Sequence, residues 1–296
     1  MRIGLITDTH SNPWGQEAVL KTLRAEGIPK KDTYDLGDNA GMFPEVIAAA
    51  DLSIRECSLH LMGNHDAVLA GHFEDDPRRA ERIGAIKENK KKIEDEGRLD
   101  LIRWFGSLPI NYVSCGVYFT HNAVFGTRNP KDKEFMLARF GPTIVDPENQ
   151  RYDSKITKLL EVSNFPQQVL VRGHAHTPSV HKIKRGLEKI VPGMVSERIM
   201  VKGEGLLEVM IDPEFTYIFT VGSACGANTM FTPDGQLDYR PSGAFIEYDL
   251  DSQTGKASLF RVNEGYDSKA FIRSVESNVA WENFEEAQKQ INHLKI

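Results

Sequence analysis

Side chains of the types that bind metal ions recur in five short blocks within the first 176 residues of the chain. The blocks combine carboxylates, imidazoles and one carboxamide, and each block follows a short apolar run. The candidate ligands are Asp8, His10, Asp38, Asn64, His121, His174 and His176. Imidazole suits transition metals better than magnesium or calcium. The set therefore predicts binding of divalent manganese, iron, zinc or nickel, with manganese expected first.

Each residue of this set has an ordinary explanation when it is considered alone. An aspartate often caps a helix or starts a turn, and an isolated histidine is more often structural than a ligand. Those explanations do not account for the repetition after five separate apolar runs. A carboxylate has two oxygens and can join two metal ions about 3.5–4 Å apart, so the set is large enough for a pair of ions.

The apolar runs predict the elements that position these blocks. Five runs are short and bounded by polar or glycine-containing turns, which is typical of buried strands. They are Arg2–Thr7, Thr33–Leu36, Leu59–Gly63, Val117–Thr120 and Val169–Arg172. A helix is predicted at Trp14–Glu26, ending at Gly27. This alternation predicts an α/β fold with a parallel portion, in which the carboxyl ends of the strands, and hence the ligands, converge.

The rest of the chain has two other patterns. Apolar segments at Thr216–Val221, Ala244–Asp249 and Ala257–Val262, separated by Thr-Pro-Asp-Gly and Ser-Gln-Thr-Gly turns, predict antiparallel strands joined by hairpins, with a helical end around 267–296. The charged stretch 77–104, broken at Gly97, predicts a solvated helix face, although a partner surface is the alternative. With no repeat and no long linker, residues 1–296 are predicted to form a single domain.

Composition excludes several classes of protein. There are 36 Lys and Arg against 42 Asp and Glu, a net charge of −6, which argues against a broad nucleic-acid interface. The absence of a leader-like start and of any long apolar run predicts a cytoplasmic protein with no membrane contact. The three cysteines, Cys57, Cys115 and Cys225, form no Cys-x-x-Cys pair, so we expect small buried apolar side chains rather than disulfides or a thiolate site.

The five blocks also resemble those of a known family. They read Asp8-Thr-His10, Gly37-Asp38-Asn39, Gly63-Asn64-His65-Asp66, Thr120-His121-Asn122 and Gly173-His174-Ala175-His176. This order is similar to that of the calcineurin-like metallophosphoesterases, and the overall build resembles their bacterial phosphodiesterase branch. The later Val221-Gly222-Ser223 resembles the family's Pro-Gly-Ser turn. The resemblance implies a two-sheet β-sandwich of mixed strands flanked by helices, the αββα fold of that family.

The resemblance also implies a role for each residue. One metal would be bound by Asp8, His10, Asp38 and His176, and the other by Asp38, Asn64, His121 and His174. Asp38 would bridge them, and a hydroxide held between the ions would attack phosphorus. His65 would protonate the leaving group or stabilise the transition state, while Asp66 would orient a ligand or His65, or instead cap the following helix. Asn39 and Arg128 are candidate contacts to the substrate.

Hydrolysis of a small phosphoester is the expected activity, with a phosphodiester preferred over a phosphomonoester. The alternatives are a metal-dependent nuclease and a non-catalytic scaffold of the same fold. The stretch Gly37-Asp38-Asn39-Ala40 lacks the additional Asp and Arg of eukaryotic protein phosphatases, and no Arg follows Ser223 as it often does in bacterial relatives. Residues 122–153 form either a lid or an ordinary surface excursion. The oligomeric state is left open.

Overall fold

The computed structural model describes residues 1–72, 80–121, 163–188, 197–200, 205–226, 239–262, 264–281 and 284–294. The strands are β1 Arg2–Ile6, β2 Thr33–Asp35, β3 Leu59–His60, β4 Asn111–Ser114, β5 Val117–Thr120, β6 Val169–Arg172, β7 Ser179–Lys184, β8 Glu197–Met200, β9 Leu206–Ile211, β10 Phe215–Thr220, β11 Ser242–Asp249 and β12 Thr254–Arg261. The α-helices are α1 Pro13–Ala25, α2 Val46–Glu56, α3 Asn64–Leu69, α4 Ala80–Asp95, α5 Leu99–Ser107, α6 Ser268–Glu276 and α7 Glu285–Leu294.

These strands form two mixed sheets of six strands each. The first sheet has the order β3-β2-β1-β11-β12-β9, with β1, β2 and β3 parallel and the other pairs antiparallel. The second has the order β4-β5-β6-β10-β7-β8, with β5, β6 and β10 parallel. The five strands predicted to carry the ligands are all present, and they are divided between the sheets, three in the first and two in the second.

One apolar layer joins the two sheets. Alternate side chains of a strand point to one face, and the inward positions of both sheets form one cluster. The first sheet contributes Leu5 and Ile246, and the second contributes Phe119, Val171 and Phe219. This two-sheet arrangement with flanking helices confirms the fold class, and it explains how two separate parallel sets can present their carboxyl ends together.

One predicted hairpin is wrong. The Thr-Pro-Asp-Gly turn was expected to join Thr216–Val221 to Ala244–Asp249, but β10 pairs with β6 and β7 in the second sheet, and β11 lies in the first. Both edges of β10 are already paired, so no edge is left for β11, which pairs with β1 and β12 instead. The second predicted hairpin is confirmed: β11 and β12 pair antiparallel from Ser242↔Arg261 to Asp249↔Thr254.

The helices cover the outer faces of the sandwich. Helix α1 begins at Pro13 and is capped by Asn12, whose side chain accepts a hydrogen bond from Gly15 N at 3.1 Å. It buries Val19 and Leu23 in a second apolar cluster. Helices α3, α4 and α5 pack together in a third cluster, and the predicted break at Gly97 separates the last two.

The remaining predictions about the chain have mixed outcomes. Cys57 and Cys225 are buried as expected, whereas Cys115 is exposed. No helix in the described ranges is long and apolar enough to cross a membrane. Helices α6 and α7 lie within the expected helical end, and the single-domain organisation stays a prediction. The lid predicted at 122–153 lies outside the described residues.

Candidate metal centre

The candidate ligands lie in the loops and helix turns that follow the parallel strands of both sheets. Asp8 and His10 follow β1, and Asp38 follows β2. Asn64 is the first residue of α3, after β3. The second sheet contributes His121 directly after β5, and His174 and His176 after β6. All seven come together at one end of the sandwich, as the strand-end pattern predicts.

Most of these residues have an unusual backbone. The φ angles of Asp8, His10, Asp38, His174 and His176 are 52°, 44°, 57°, 68° and 54°. The left-handed region costs a residue with a Cβ about 1–3 kcal/mol, and such strain is concentrated at functional sites. The positive φ angles mark tight turns directly after the strands, where the ligand side chains are placed.

A first ligand group consists of Asp8, His10 and His176. His176 Nε2 lies 3.1 Å from Asp8 Oδ1, and His10 Nε2 lies 3.6 Å from the same oxygen. The two imidazole Nε2 atoms are 2.9 Å apart. One ligand atom from each residue therefore falls within 4.8 Å of the others, which is the spacing of a metal site.

A second ligand group consists of Asn64, His121 and His174. His174 Nδ1 lies 2.8 Å from Asn64 Oδ1. Asp38, His121 and His174 each offer a ligand atom within 4.8 Å of the other two. Asn64 and His174 therefore reach the same point from different sheets.

Asp38 stands between the two groups, and its two oxygens differ. Oδ1 accepts a hydrogen bond from His65 N at 2.8 Å. Oδ2 lies 3.2 Å from His121 Nε2 and 3.9 Å from His10 Nε2. The oxygen that faces both groups is therefore Oδ2 alone.

Backbone carbonyls orient two of the histidines. His10 Nδ1 lies 3.1 Å from Ala40 O, and His121 Nδ1 lies 2.9 Å from Leu36 O. A carbonyl only accepts, so Nδ1 is the donor in both rings, and Nε2 is directed into the centre. This arrangement, in which the outer nitrogen is tied to the protein, is typical of metal-binding histidines.

The titration of the group reflects its burial and its crowding. Burial would raise the pKa of Asp8, but His121 and His176 outweigh it and hold the pKa of Asp8 well below its ordinary value. The pKa of Asp38 is lowered against burial in the same way, mainly by His121 and then by His65. Both carboxylates therefore stay ionised at neutral pH and are available to a cation.

The two histidines of the second group shift in opposite directions. Burial favours the neutral ring of His121, but the carboxylates of Asp38 and Asp8 outweigh it and raise its pKa to about 9. Burial, followed by the nearby His121, lowers the pKa of His174 to about 3. Without metal, one ring of the pair carries the proton and the other is neutral at pH 7.

The residues present fit divalent metal ions. Asp8 Oδ1 and His121 Nε2 are buried and make no hydrogen bond of acceptable geometry with any described residue. Their nearest polar neighbours, His176 Nε2 at 3.1 Å from Asp8 Oδ1 and Asp38 Oδ2 at 3.2 Å from His121 Nε2, do not satisfy them as hydrogen bonds, and a cation would bind both atoms. The donors are carboxylate, imidazole and carboxamide, which suit a transition metal.

Asp66 fastens the loop that carries Asp38. Its Oδ2 accepts from Asp38 N at 2.8 Å and from Gly63 N at 2.9 Å, and its Oδ1 accepts from Ala40 N at 3.0 Å. Gly63 is the N-cap of α3, and Asp66 is its third residue. The carboxylate therefore supports the backbone of a candidate ligand. The alternative prediction that Asp66 is the N-cap of this helix is wrong, because Gly63 is the N-cap and Asp66 binds its N–H from inside the first turn. Burial and Asp38 raise the pKa of Asp66.

The other predicted residues have different surroundings. His65 is buried beside His10, with ring centroids 4.6 Å apart, and one of its nitrogens lies in a group with His10 and Asp38. Asn39 is fully buried, and its Oδ1 accepts from Thr9 Oγ1 at 3.0 Å. Its substrate contact stays a prediction. Arg128 lies outside the described residues.

The structure adds supporting residues that the sequence patterns missed. Thr7 Oγ1 donates to Asp8 Oδ2 at 2.7 Å, and His174 N donates to the same oxygen at 2.9 Å, which leaves Oδ1 directed at the centre. Ser223 Oγ donates to Asp8 O at 2.9 Å, which gives the Val221-Gly222-Ser223 turn a role in holding the β1 loop. No sequence pattern distinguishes a supporting threonine such as Thr7 from any other threonine. The Val221-Gly222-Ser223 turn, in contrast, was recognisable from its motif.

Two glycines of the blocks are required by close packing. A Cβ at Gly63 would collide with the carboxylate and the amide nitrogen of Asp38, and one at Gly173 would collide with Thr7 and Asp8. Neither contact leaves room for a side chain. The glycines therefore let the loops from different strands approach each other closely enough for the ligands to meet.

Comparison with known proteins places this arrangement in context. A sequence model described as the calcineurin-like phosphoesterase superfamily domain matches residues 1–211. An uncharacterised protein of Methanocaldococcus jannaschii is 26% identical over 280 residues, which cover 91% of this chain and 97% of that protein. The crystal structure of a metallophosphoesterase from Sphaerobacter thermophilus matches with a TM-score of 0.63 and 18% identity, covering 100% of this chain and 99% of that one, which shows the same fold.

Proposed function

The chain belongs to the calcineurin-like phosphoesterase superfamily and is a phosphoester hydrolase, and from that premise we propose that it hydrolyses a small phosphodiester at a centre of two divalent metal ions. The ligands would be Asp8, His10, Asp38 and His176 for one ion and Asp38, Asn64, His121 and His174 for the other. The observation that carries the proposal is the position of Asp38 Oδ2, which faces His121 and His10 from opposite groups.

Two ions explain this geometry better than one. The first group supplies three ligand atoms without Asp38, and Asn64, His121 and His174 supply three more. Asp38 would be the residue common to both ions, because its Oδ2 faces His121 and His10 while its Oδ1 accepts a hydrogen bond from His65 N.

The donor set favours particular metals. Four imidazoles among seven ligands suit manganese, iron, zinc or nickel better than magnesium or calcium, and manganese is our first expectation. When bound, such ions lower the pKa of a coordinated water and neutralise charge on the phosphoryl group. The remaining work falls to the protein's own side chains.

His65 is the proposed acid of the reaction. It follows Asn64 directly, and its ring lies against His10 at the edge of the centre. In that position it would protonate the leaving oxygen or stabilise the charge that develops there. Asp66 holds the Asp38 loop on which the geometry depends, so its contribution is to positioning.

The charge of the centre supports an anionic phosphoester. Two divalent ions would bring +4, Asp8 and Asp38 return −2, and a hydroxide returns a further −1, while Asn64 adds none. The sum is about +1, which attracts a phosphoryl group even to a protein of net negative charge. The preference for a diester is supported by the resemblance to the bacterial phosphodiesterase branch, and the net charge of −6 argues for a small substrate rather than nucleic acid.

Metal analysis and two substrates test the proposal directly. Purified protein should contain close to two transition-metal ions per chain and should cleave bis(p-nitrophenyl) phosphate faster than p-nitrophenyl phosphate. Assays with manganese, iron, zinc and nickel would rank the metals. A metal-free protein that stays inert with every added metal would refute the proposal, and a preference for the monoester would refute its diester part.

The role of His65 has a test of its own. His65→Ala should lower kcat by about 10²–10⁴-fold, the usual contribution of a proton donor, while metal content stays near two ions. His72→Ala is the matched control, because His72 lies just beyond the same helix and contacts Gly106 O. Loss of metal from His65→Ala would instead make His65 a ligand.

A further inference from the structure

Asn89 is a buried polar residue on a helix of predominantly charged sequence. Among the side chains described in α4, those at Ala85, Ile86, Asn89 and Ile93 are buried, and Asn89 has no exposed surface. Residues three and four apart share a helix face, so Asn89 occupies a core position between two isoleucines. A polar residue there is costly unless it is fully hydrogen-bonded.

Both polar atoms of the Asn89 carboxamide are hydrogen-bonded, and their partners lie in the loops of the metal centre. Its Oδ1 accepts from Gly41 N at 2.7 Å and from Ser11 Oγ at 3.1 Å. Its Nδ2 donates to Phe43 O at 2.8 Å. One side chain thus ties the segment after His10 to both ends of the turn Gly41–Phe43.

That turn forms a wall for the His65 ring. A Cβ at Gly41 would collide with His65 Nδ1, and Gly41 has a φ of +99°. The ring also contacts His10, with ring centroids 4.6 Å apart. Because the imidazole is packed against both the turn and His10, a shift of the turn would move the ring.

We propose that Asn89 is a positioning residue for His65, acting through the Gly41–Phe43 turn. The inference rests on the proposed function of His65 as the acid of the reaction. Trp281 supports the same turn, because its Nε1 donates to Met42 O at 2.8 Å. The turn is therefore held both by Asn89 of α4 and by Trp281 near the C-terminus.

Asp38 and His121 are held by groups other than Asn89, and Ala40, whose carbonyl orients His10, is bound through its own N–H by Asp66. Asp66 also binds the backbone of Asp38, and Leu36 O orients His121. Loss of Asn89 should therefore leave metal content unchanged. It should lower kcat by about 10–100-fold, since a misplacement of about 1 Å at a reacting group has that effect.

A double-mutant cycle tests whether Asn89 acts through His65. Asn89→Ala should lower kcat in the wild-type background and should have no further effect in the His65→Ala background. The loss should be larger with diphenyl phosphate than with bis(p-nitrophenyl) phosphate, because p-nitrophenolate needs less protonation as it leaves. Losses that multiply in the double variant, or that are equal for both substrates, would overturn the proposal.

Gln168→Ala is the matched control. Gln168 is also buried and makes two side-chain hydrogen bonds, to Asp212 O and from Tyr248, at the opposite end of β6 from His174. It should lower stability without any preference between the two diesters. If Asn89→Ala does not fold, Trp281→Phe removes one anchor of the same turn and should show the same substrate preference to a smaller extent.

An activity-free measurement separates this proposal from the proposed function. NMR spectra of the full chain are recorded for a metal-free sample and for a sample loaded with Zn²⁺. The ring resonances of His65 are assigned as those that are absent from the spectra of His65→Ala. Asn89→Ala should shift them and leave those of His121 in place, and Gln168→Ala should move neither. If the wild type hydrolyses neither diester, the proposed function fails while this test still stands. Unmoved His65 resonances would overturn the positioning role whatever the activity.

Discussion

The two ligand groups of the centre are assembled in different ways. Asp8 and His10 lie two residues apart in one loop, and His176 joins them from the second sheet. Asn64, His121 and His174 come from three separate segments on both sheets. Two of the three members of the first group are therefore placed by local backbone geometry, whereas all three members of the second are brought together only by the packing of the sheets.

Individual histidines of the two groups also differ in access to solvent. The side chain of His176 is 15% exposed, whereas that of His121 is completely buried, although each group has one partly exposed member, His176 in the first and His174 in the second. The pKa of His121 is raised because the carboxylates of Asp38 and Asp8 outweigh its burial. Metal binding at His121 therefore requires proton release in a closed position, whereas His176 lies at an open edge.

Asp38 is the residue that the comparison identifies as common to both groups. Asp38→Asn should remove both ions together and lower activity by about 1000-fold or more, because the ions supply most of the charge stabilisation. Metal analysis and hydrolysis of bis(p-nitrophenyl) phosphate measure the effect. Asp35→Asn, the same change at a buried aspartate bonded to Gly37 N and Ser53, should keep both ions. Loss of only one ion from Asp38→Asn would contradict the shared position.

Loss of one histidine should have different consequences in the two groups. His176→Ala opens a position at the accessible edge, so added imidazole should restore part of the lost metal binding. His121→Ala leaves a closed cavity and an unpaired Leu36 O, so imidazole should not restore it, and the free energy of unfolding should fall by about 1–3 kcal/mol. Metal titration with and without imidazole, together with thermal unfolding, distinguishes the two variants. Equal rescue of both would contradict the difference in access.

Metal uptake should depend on pH, chiefly through the second group. The pKa of His121 lies near 9 in the folded, metal-free protein, above its unfolded value of about 6.5. The protonated ring therefore stabilises the metal-free protein below about pH 6.5, and this stabilisation is lost as the pH rises through 9. A ligand must be neutral, so the affinity of one ion should rise about tenfold per pH unit up to about pH 9.

Calorimetric titration of the metal-free protein with metal, in two buffers of different ionisation enthalpy, measures the number of protons released on binding. About one proton should leave for the ion of the second group at pH 7. An affinity that stays constant between pH 7 and 9 would contradict the raised pKa of His121.

The support around Asp8 should have the smallest effect. Thr7→Val removes the hydroxyl that holds Asp8 Oδ2 but leaves the bond from His174 N, so the affinity of one ion should fall by about tenfold. Thr7→Ser keeps the hydroxyl and should bind both ions normally. A metal titration that resolves two binding steps gives the affinity of each ion separately. If Thr7→Val weakens both steps, the two groups do not bind their ions independently.

Strand-end placement made much of the centre predictable. Asp8 and His10 could be assigned to one site because an Asp-x-His pair after a strand brings both side chains to the same edge. The strands at Val117–Thr120 and Val169–Arg172 were predicted with the bounds that the structure has, since short apolar runs between polar turns are read locally. The false hairpin between β10 and β11 shows the limit of that reasoning, because a turn sequence does not specify which sheet receives the next strand.

Asn89 illustrates a second limit. In the sequence it lies within a run of charged residues that reads as a solvated face, and only its spacing from Ile86 and Ile93 marks it as inward-facing. The partners that explain it, Gly41 and Ser11, are 48 and 78 residues away. No local pattern connects them.

The sequence by itself determined the chemistry of the centre, because residue type sets which metals suit the ligands, and the family follows from the same blocks. Only the tertiary structure decided how that chemistry is divided. It placed the parallel strands in two facing sheets, directed Oδ2 of Asp38 to both groups and left Oδ1 to His65 N. The physical reason is that ligand identity is a property of single side chains, whereas distances between segments 30 to 170 residues apart are set by the packing of the shared core.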